Sequence, residues 1–162
     1  MTGEGLFMLN TLIIIPTFNE VNNIRAVHRE IKRHAPQSTL LFVDDTSEDG
    51  TLDRINDLIK RDSSVHLLQR PGKQGLGTAY IAGFKWGLER DFEVFQQIDC
   101  DLSHDPAYLP FIAREMERYD GLVGSRYIRG GKILNWPFYR QFISRMGSLY
   151  SRVLLNLPIK DM

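Results

Sequence analysis

Four short apolar runs, each followed at once by apolar residues at helical spacing, constrain this 162-residue chain more than any other feature. TLIII (11–15), TLLFV (39–43), VHLLQ (65–69) and VFQQI (94–98) are the runs. They are rich in branched and aromatic side chains, as strands buried on both faces are. Between them Val21, Ile24, Val27, His28 and Ile31 recur at three- and four-residue intervals, as do Leu52, Ile55, Leu58 and Ile59, and then Ile81, Phe84 and Leu88. Pro16 closes the first run, and Pro36 lies just past the first stripe. A fifth run, GLVGS (121–125), follows a helix expected to turn Leu109, Ile112 and Met116 inward. Strands alternating with amphipathic helices predict an α/β fold with right-handed crossovers and a mostly parallel sheet covered on both faces. Ligands of such sheets bind at the carboxyl ends of the strands.

Several classes drop out on composition. The single cysteine, Cys100, permits no internal disulfide. No apolar run approaches the roughly 18 residues of a membrane span, and the opening residues lack the basic stretch of a signal peptide, so a soluble or peripheral protein is expected. Charge is balanced overall but lopsided along the chain. The first 121 residues hold 13 basic and 19 acidic side chains. From Leu122 onward there are seven basic residues (Arg126, Arg129, Lys132, Arg140, Arg145, Arg152 and Lys160) against one acid, Asp161. Either one neutral domain has a basic end by chance, or that end meets an anionic partner. Phe142, Ile143, Met146, Leu149, Tyr150, Val153 and Leu157 form an apolar helical stripe there, with Arg140, Ser144, Ser148 and Arg152 at four-residue intervals on another face. That helix reads equally as a surface helix with its polar side in water or as a phosphate-gripping helix near a membrane.

Three of the strand ends are polar: PTFNE after the first, DDTSEDG after the second and DCDLSHD after the fourth. A dinucleotide-binding Rossmann protein would carry G-x-G-x-x-G after strand one, and RPGKQGLGT does not match the G-x-x-x-x-G-K-[ST] phosphate loop. Gly72, Gly75 and Gly77 are read as letting the backbone turn tightly into a helix. Cys100 and His104 lack partners at zinc spacing, and His28, His34 and His66 read as structural or surface residues. Asp99 and Asp101, two apart in extended backbone, point the same way, while Cys100 turns inward. Such carboxylates are solvated, or they hold a hard cation such as Mg²⁺ or Mn²⁺ whose remaining ligands are waters and substrate phosphates.

IIIPTFNE, VDDTSEDGT, GLGTAYIAGF, DCDLSHDP, GSRYIRGG and WPFYRQFISRMGSLYSRVLL resemble, in order and spacing, the family-2 glycosyltransferases of GT-A fold. Within them the chain is most similar to the dolichol-phosphate (polyprenol-phosphate) mannosyltransferases, from Leu12 onward. The resemblance implies a single GT-A domain over residues 1–162, with a nucleotide-sugar-binding core at 11–125 and a basic, acceptor-side segment at 126–162. It implies transfer of mannose from GDP-mannose to a polyprenyl or dolichyl phosphate, with inversion and a divalent metal. Pro16, Phe18, Glu20, Phe42, Asp44, Asp99, Cys100, Asp101 and Arg126 fall on donor-binding positions, with Phe42 and Asp44 at base and ribose. Asp99, Asp101 and Ser103 fall on the Mg²⁺ or Mn²⁺ site. Asp101, Arg126, Arg140 and Ser144 fall on catalytic positions, the last three gripping the acceptor phosphate.

Phe18 stands where the family has tyrosine, Thr46 where it has glycine and Cys100 where it has alanine. The chain stops at LPIKDM where the family continues into a segment that helps close the site, so a fragment is expected to bind nucleotide with turnover in doubt. The resemblance implies a cytoplasmic protein, peripheral at the membrane face, without a nucleic-acid partner. The other readings are a family-2 transferase using another nucleotide-sugar, such as a UDP-sugar, and a non-catalytic nucleotide-sugar-binding fragment. Trp86 and Trp136 read as packing residues, with Trp136 beside Pro137 a possible lining of the acceptor mouth.

Overall fold

In the computed structural model, residues 9–125 and 137–156 are described. They divide into two compact units, Met1–Arg118 and Tyr119–Met162. In the first unit, β1 (Thr11–Thr17), α1 (Ile24–His34), β2 (Thr39–Asp44), α2 (Thr51–Ile59), β3 (Val65–Gln69), α3 (Leu76–Leu88) and β4 (Val94–Gln97) alternate along the chain. A single 3-10 turn, Pro106–Tyr108, leads into α4 (Leu109–Glu115). All strand pairs are parallel, in the order β3-β2-β1-β4.

Alternation along β1 divides the core in two. Ile13 and Ile15 pack on one face with Ile24, Val27 and Ile31 of α1, Ile55 of α2 and Leu109 of α4. Leu12 and Ile14 face the other way, against Ala79 of α3 and the partly buried Tyr80 and Phe84. Strand order makes the gap beside β1 the place where the chain switches direction: β2 and β3 build outward on one side, and β4 returns on the other. Doubly wound sheets open their ligand crevice at such a point.

Pro16 does not end the first strand, which continues to Thr17. Ile98 donates to the Ile14 carbonyl, so Ile14 and, two residues on, Pro16 turn their backbone toward β4. Pairing with β4 ends at Ile14↔Gln97, however. The missing proline N–H therefore faces a side where no strand asks for it. Toward β2 the ladder carries on through Thr17↔Asp44.

Two further expectations are corrected. Residues 121–125 form no strand, and they belong to the second unit. Ile81 and Leu88 of α3 face solvent, and its inward face is Ala79, Gly83 and Gly87. The helix lies so close to the sheet that a Cβ on Gly83 would sit 2.6 Å from Ile14 Cγ2, and one on Gly87 2.6 Å from Leu12 Cδ2. Gly83→Ala is therefore expected to cost about 1–3 kcal/mol by overpacking, outweighing the roughly 1 kcal/mol that alanine adds to a helix. Gly77→Ala, with nothing within 4 Å, should be neutral or stabilising by up to about 1 kcal/mol. Urea midpoints of the two variants decide it: equal midpoints would mean that α3 has room to move.

In the second unit α5 (Phe138–Leu155) is the described helix. Its apolar stripe is the exposed side, with Phe142, Ile143, Met146, Leu149, Tyr150 and Val153 all open to solvent, while Ser148 is buried. Leu157 lies outside the described residues. No helix among the described residues is long and apolar enough to cross a membrane.

Candidate active site

The rim above β2, β1 and β4 is built by loops that fasten to one another. Thr17 Oγ1 donates to Asp44 Oδ2 at 2.8 Å, and Ser47 adds its N–H and hydroxyl to the same carboxylate. Asn19 N–H reaches Ser47 Oγ, Glu20 N–H reaches Thr51 Oγ1 and Val21 N–H reaches Asp49 Oδ2. The loop after β1 is thus tied to DDTSEDGT through Thr17, Asn19, Glu20 and Val21. Asn19, Thr46 and Leu102, one in each rim loop, hold positive φ near 60°, a cost of order 1 kcal/mol each that the surrounding bonds must offset. For Thr46 those bonds are visible. Its hydroxyl donates to the Arg70 carbonyl at 2.6 Å and accepts from Gly72 N–H at 3.1 Å, so Thr46 holds a left-handed backbone and stitches the turn to the next loop.

Arg70 completes that stitching. It is buried just after β3, with Nε donating to Asp45 Oδ1 at 2.7 Å, Nη1 to Thr78 Oγ1 at 2.8 Å and Nη2 to the Gly75 carbonyl. Asp45 Oδ2 also accepts from Gln74 N–H. Gly72 and Gly75 supply positive φ on either side, which turns the backbone tightly into α3, whereas Gly77 lies within that helix without a positive φ. The turn carries Lys73 across to Phe18, Nζ lying 4.4 Å from the ring centroid.

The acidic loop after β4 faces PTFNE. Cys100 is turned into the core, and its thiol is pushed up to about 12, first by burial and then by the charges of Glu20, Asp101 and Asp99. Asp101 is exposed, and the Ser103 N–H at 2.9 Å holds its carboxyl below the ordinary range against a smaller effect of burial. Asp99 Oδ1 accepts from the Tyr80 hydroxyl at 3.0 Å. Burial, then the Asp99 charge, pushes that hydroxyl well above its usual value, so it stays a donor at neutral pH. Asp105 caps the 3-10 turn, its Oδ1 accepting from Ala107 N–H.

The expected residues distribute unevenly. Pro16, Phe18, Glu20, Asp99, Asp101 and Ser103 stand at the rim of the first unit. Phe42 does not: it is 0% exposed, packed in the core beneath β1 and β2, and offers no surface to a base. Asp44 is likewise 0% exposed with both oxygens used by Thr17 and Ser47, so it shapes the rim and does not reach a ribose. Arg140 and Ser144 lie in the first two turns of α5, and Arg126 and Trp136 fall outside the described residues. Sequence reasoning missed Arg70, Lys73 and Tyr80. Arg70 directly after a strand and opposite a DD pair was a usable signal, whereas nothing in the spacing marks Tyr80. His28 bonds Asp62 and His66 packs on Trp86, which agrees with structural roles.

Among the described residues no group of three or more His, Cys, Asp or Glu is arranged to hold a metal. Two rim carboxylates still fit Mg²⁺ or Mn²⁺, hard ions that take one or two carboxylates and complete their shell with water and phosphate oxygens.

The family model for Glycosyl transferase family 2 matches residues 12–161. The chain belongs to this family. It is 44% identical over 94% of its length to the undecaprenyl-phosphate mannosyltransferase of Micrococcus luteus, covering 63% of that protein. It is 41% identical over 93% of its length to the polyprenol monophosphomannose synthase of Mycolicibacterium smegmatis, covering 58%. This family-2 chain thus spans about three fifths of the length of these relatives. The mannosyltransferase PcManGT of Pyrobaculum calidifontis, solved with GDP-Man and Mn²⁺, shares its fold at TM-score 0.52 and 19% identity, over 59% of this chain and 28% of that one. The architecture is that of the GT-A glycosyltransferases.

Proposed function

We propose that this chain is the nucleotide-sugar-binding core of an enzyme that moves mannose from GDP-mannose to a polyprenyl or dolichyl phosphate, with inversion at the anomeric carbon. The observation that carries the reading is the placement of Asp99 and Asp101, just after β4, and of Glu20, just after β1, at the carboxyl ends of the two neighbouring strands that flank the switch point of the sheet. The substrates follow the names of the two relatives and the donor of the PcManGT complex.

Asp99 and Asp101, with Ser103 beside them, would hold Mg²⁺ or Mn²⁺ over the donor diphosphate. When bound, such an ion acts as a Lewis acid that neutralises the leaving diphosphate. Pro16, Phe18 and Glu20 would support the nucleotide along the β1 end. Arg126, Arg140 and Ser144 would orient the acceptor phosphate, whose oxygen attacks the anomeric carbon from the face opposite the diphosphate. A phosphate monoester is already anionic at neutral pH, so the residues need not remove a proton; they align and stabilise charge. The exposed apolar side of α5 and its arginines suit a peripheral position at the cytoplasmic face of a membrane that carries the acceptor.

Thermal unfolding with Mn²⁺ and GDP-mannose, GDP or UDP-glucose tests the donor. Both guanosine ligands should raise the midpoint more than UDP-glucose, and an equal or larger rise with UDP-glucose would reassign the donor. Incubation with GDP-mannose and a short polyprenyl phosphate then separates an enzyme from a binding core. Ligand-dependent stabilisation without product would mark a binding core instead.

A further inference from the structure

Asp99 is approached from two sides, yet only one of its oxygens accepts a hydrogen bond. Tyr80, early in α3, donates its hydroxyl to Oδ1 at 3.0 Å. On the other side His104 Nδ1 accepts the Asp99 backbone N–H at 3.3 Å and lies 3.6 Å from Oδ2. At 3.6 Å that nitrogen lies beyond hydrogen-bond reach of Oδ2. That oxygen has no other donor among the described residues, and its lone pairs remain available to a cation.

The phenol is itself held. Tyr80 packs against the cluster of Leu12, Ile14, Leu41 and Val43 on the α3 face of the sheet. The close approach of Gly83 to Ile14 fixes the helix that carries it, and the Arg70 to Thr78 bond fixes that helix at its first turn. A hydroxyl delivered by so constrained an element sets the carboxylate's rotation more tightly than a solvent-exposed loop can alone.

We propose that Tyr80 is a positioning residue of the metal-diphosphate site: its hydroxyl clamps Asp99 Oδ1 so that Oδ2 is left to the divalent cation. This rests on the reading of Asp99 given above. Partners that orient a metal-binding carboxylate typically change affinity about 10–100-fold when removed.

The test is Mn²⁺ titration of the metal-free protein in the presence of GDP, following free Mn²⁺ by electron paramagnetic resonance, beside GDP binding measured in EDTA. Tyr80→Phe keeps the ring and its packing. It should weaken Mn²⁺-dependent binding about 10–100-fold while leaving the EDTA affinity and the unfolding midpoint unchanged. Wild-type Mn²⁺ affinity in Tyr80→Phe would overturn the proposal, and so would an equal loss in the Mn²⁺ and EDTA arms, which marks a general structural role. Asp99→Asn separates the layers. If it binds Mn²⁺ and GDP as wild type does, the metal reading of the site itself fails; if it loses binding while Tyr80→Phe does not, only the role of Tyr80 falls.

Discussion

Asp101→Asn is expected to abolish the stabilisation that Mn²⁺ and GDP together confer, with almost no effect on the protein alone. Asp101 is exposed and lies in a loop, and asparagine keeps an oxygen for the Ser103 N–H. Substitutions of that kind usually stay within about 0.5 kcal/mol, or roughly 2 °C in midpoint for a chain of this size. Ligand at a hundred times its dissociation constant stabilises by about 2.7 kcal/mol, so the wild-type midpoint should rise by about 5–10 °C. The two effects are well separated. A variant that keeps the full Mn²⁺-dependent rise would remove Asp101 from the site, and with it the main reason for reading this rim as a diphosphate clamp.

Arg70→Met should produce the largest loss of stability of any change considered. It removes the cation from Asp45 while that carboxylate stays buried, both side chains being 8% exposed. Breaking one partner of a buried ion pair costs about 3–5 kcal/mol, whereas removing both charges together is often close to neutral. The double variant Arg70→Met/Asp45→Asn should therefore recover a large part of the loss, a coupling readable from urea midpoints in a double-mutant cycle. A loss below about 1 kcal/mol for Arg70→Met would show that the pair is solvated in practice. The functional consequence follows from the wiring. Arg70 holds the turn at Gly75 and Thr78 that launches α3, and α3 carries Tyr80 to Asp99. The same variant should also weaken Mn²⁺-dependent binding, through a residue that touches neither metal nor nucleotide.

Helices and strands were largely legible because burial imposes a period. Ile24, Val27 and Ile31 had to share a face, and TLIII and TLLFV had no polar side to show to water. The reading went wrong where size misleads. Large apolar residues were assigned to the inside of α3, but the helix instead packs on its glycines and leaves Ile81 and Leu88 outside. GLVGS looked like a strand because its composition suits one, yet strand formation needs a partner edge, and composition cannot supply it. Phe42 and Asp44 were assigned to the ligand by resemblance, and both are 0% exposed, Phe42 in the core and Asp44 holding Thr17 and Ser47.

From residue order alone came a parallel α/β sheet, polar tips after its first, second and fourth strands, and a cysteine turned away from two carboxylates. These depend on spacing within a few neighbours, and spacing is written in the chain. Which side chains meet across 20 to 30 positions was settled only on folding. Tyr80 reaching Asp99 and Arg70 reaching Asp45 both depend on how α3 and the rim loops seat on the sheet. Hydrogen bonds and ion pairs are short-ranged and directional, so their partners exist only once packing has brought the groups to within about 3 Å.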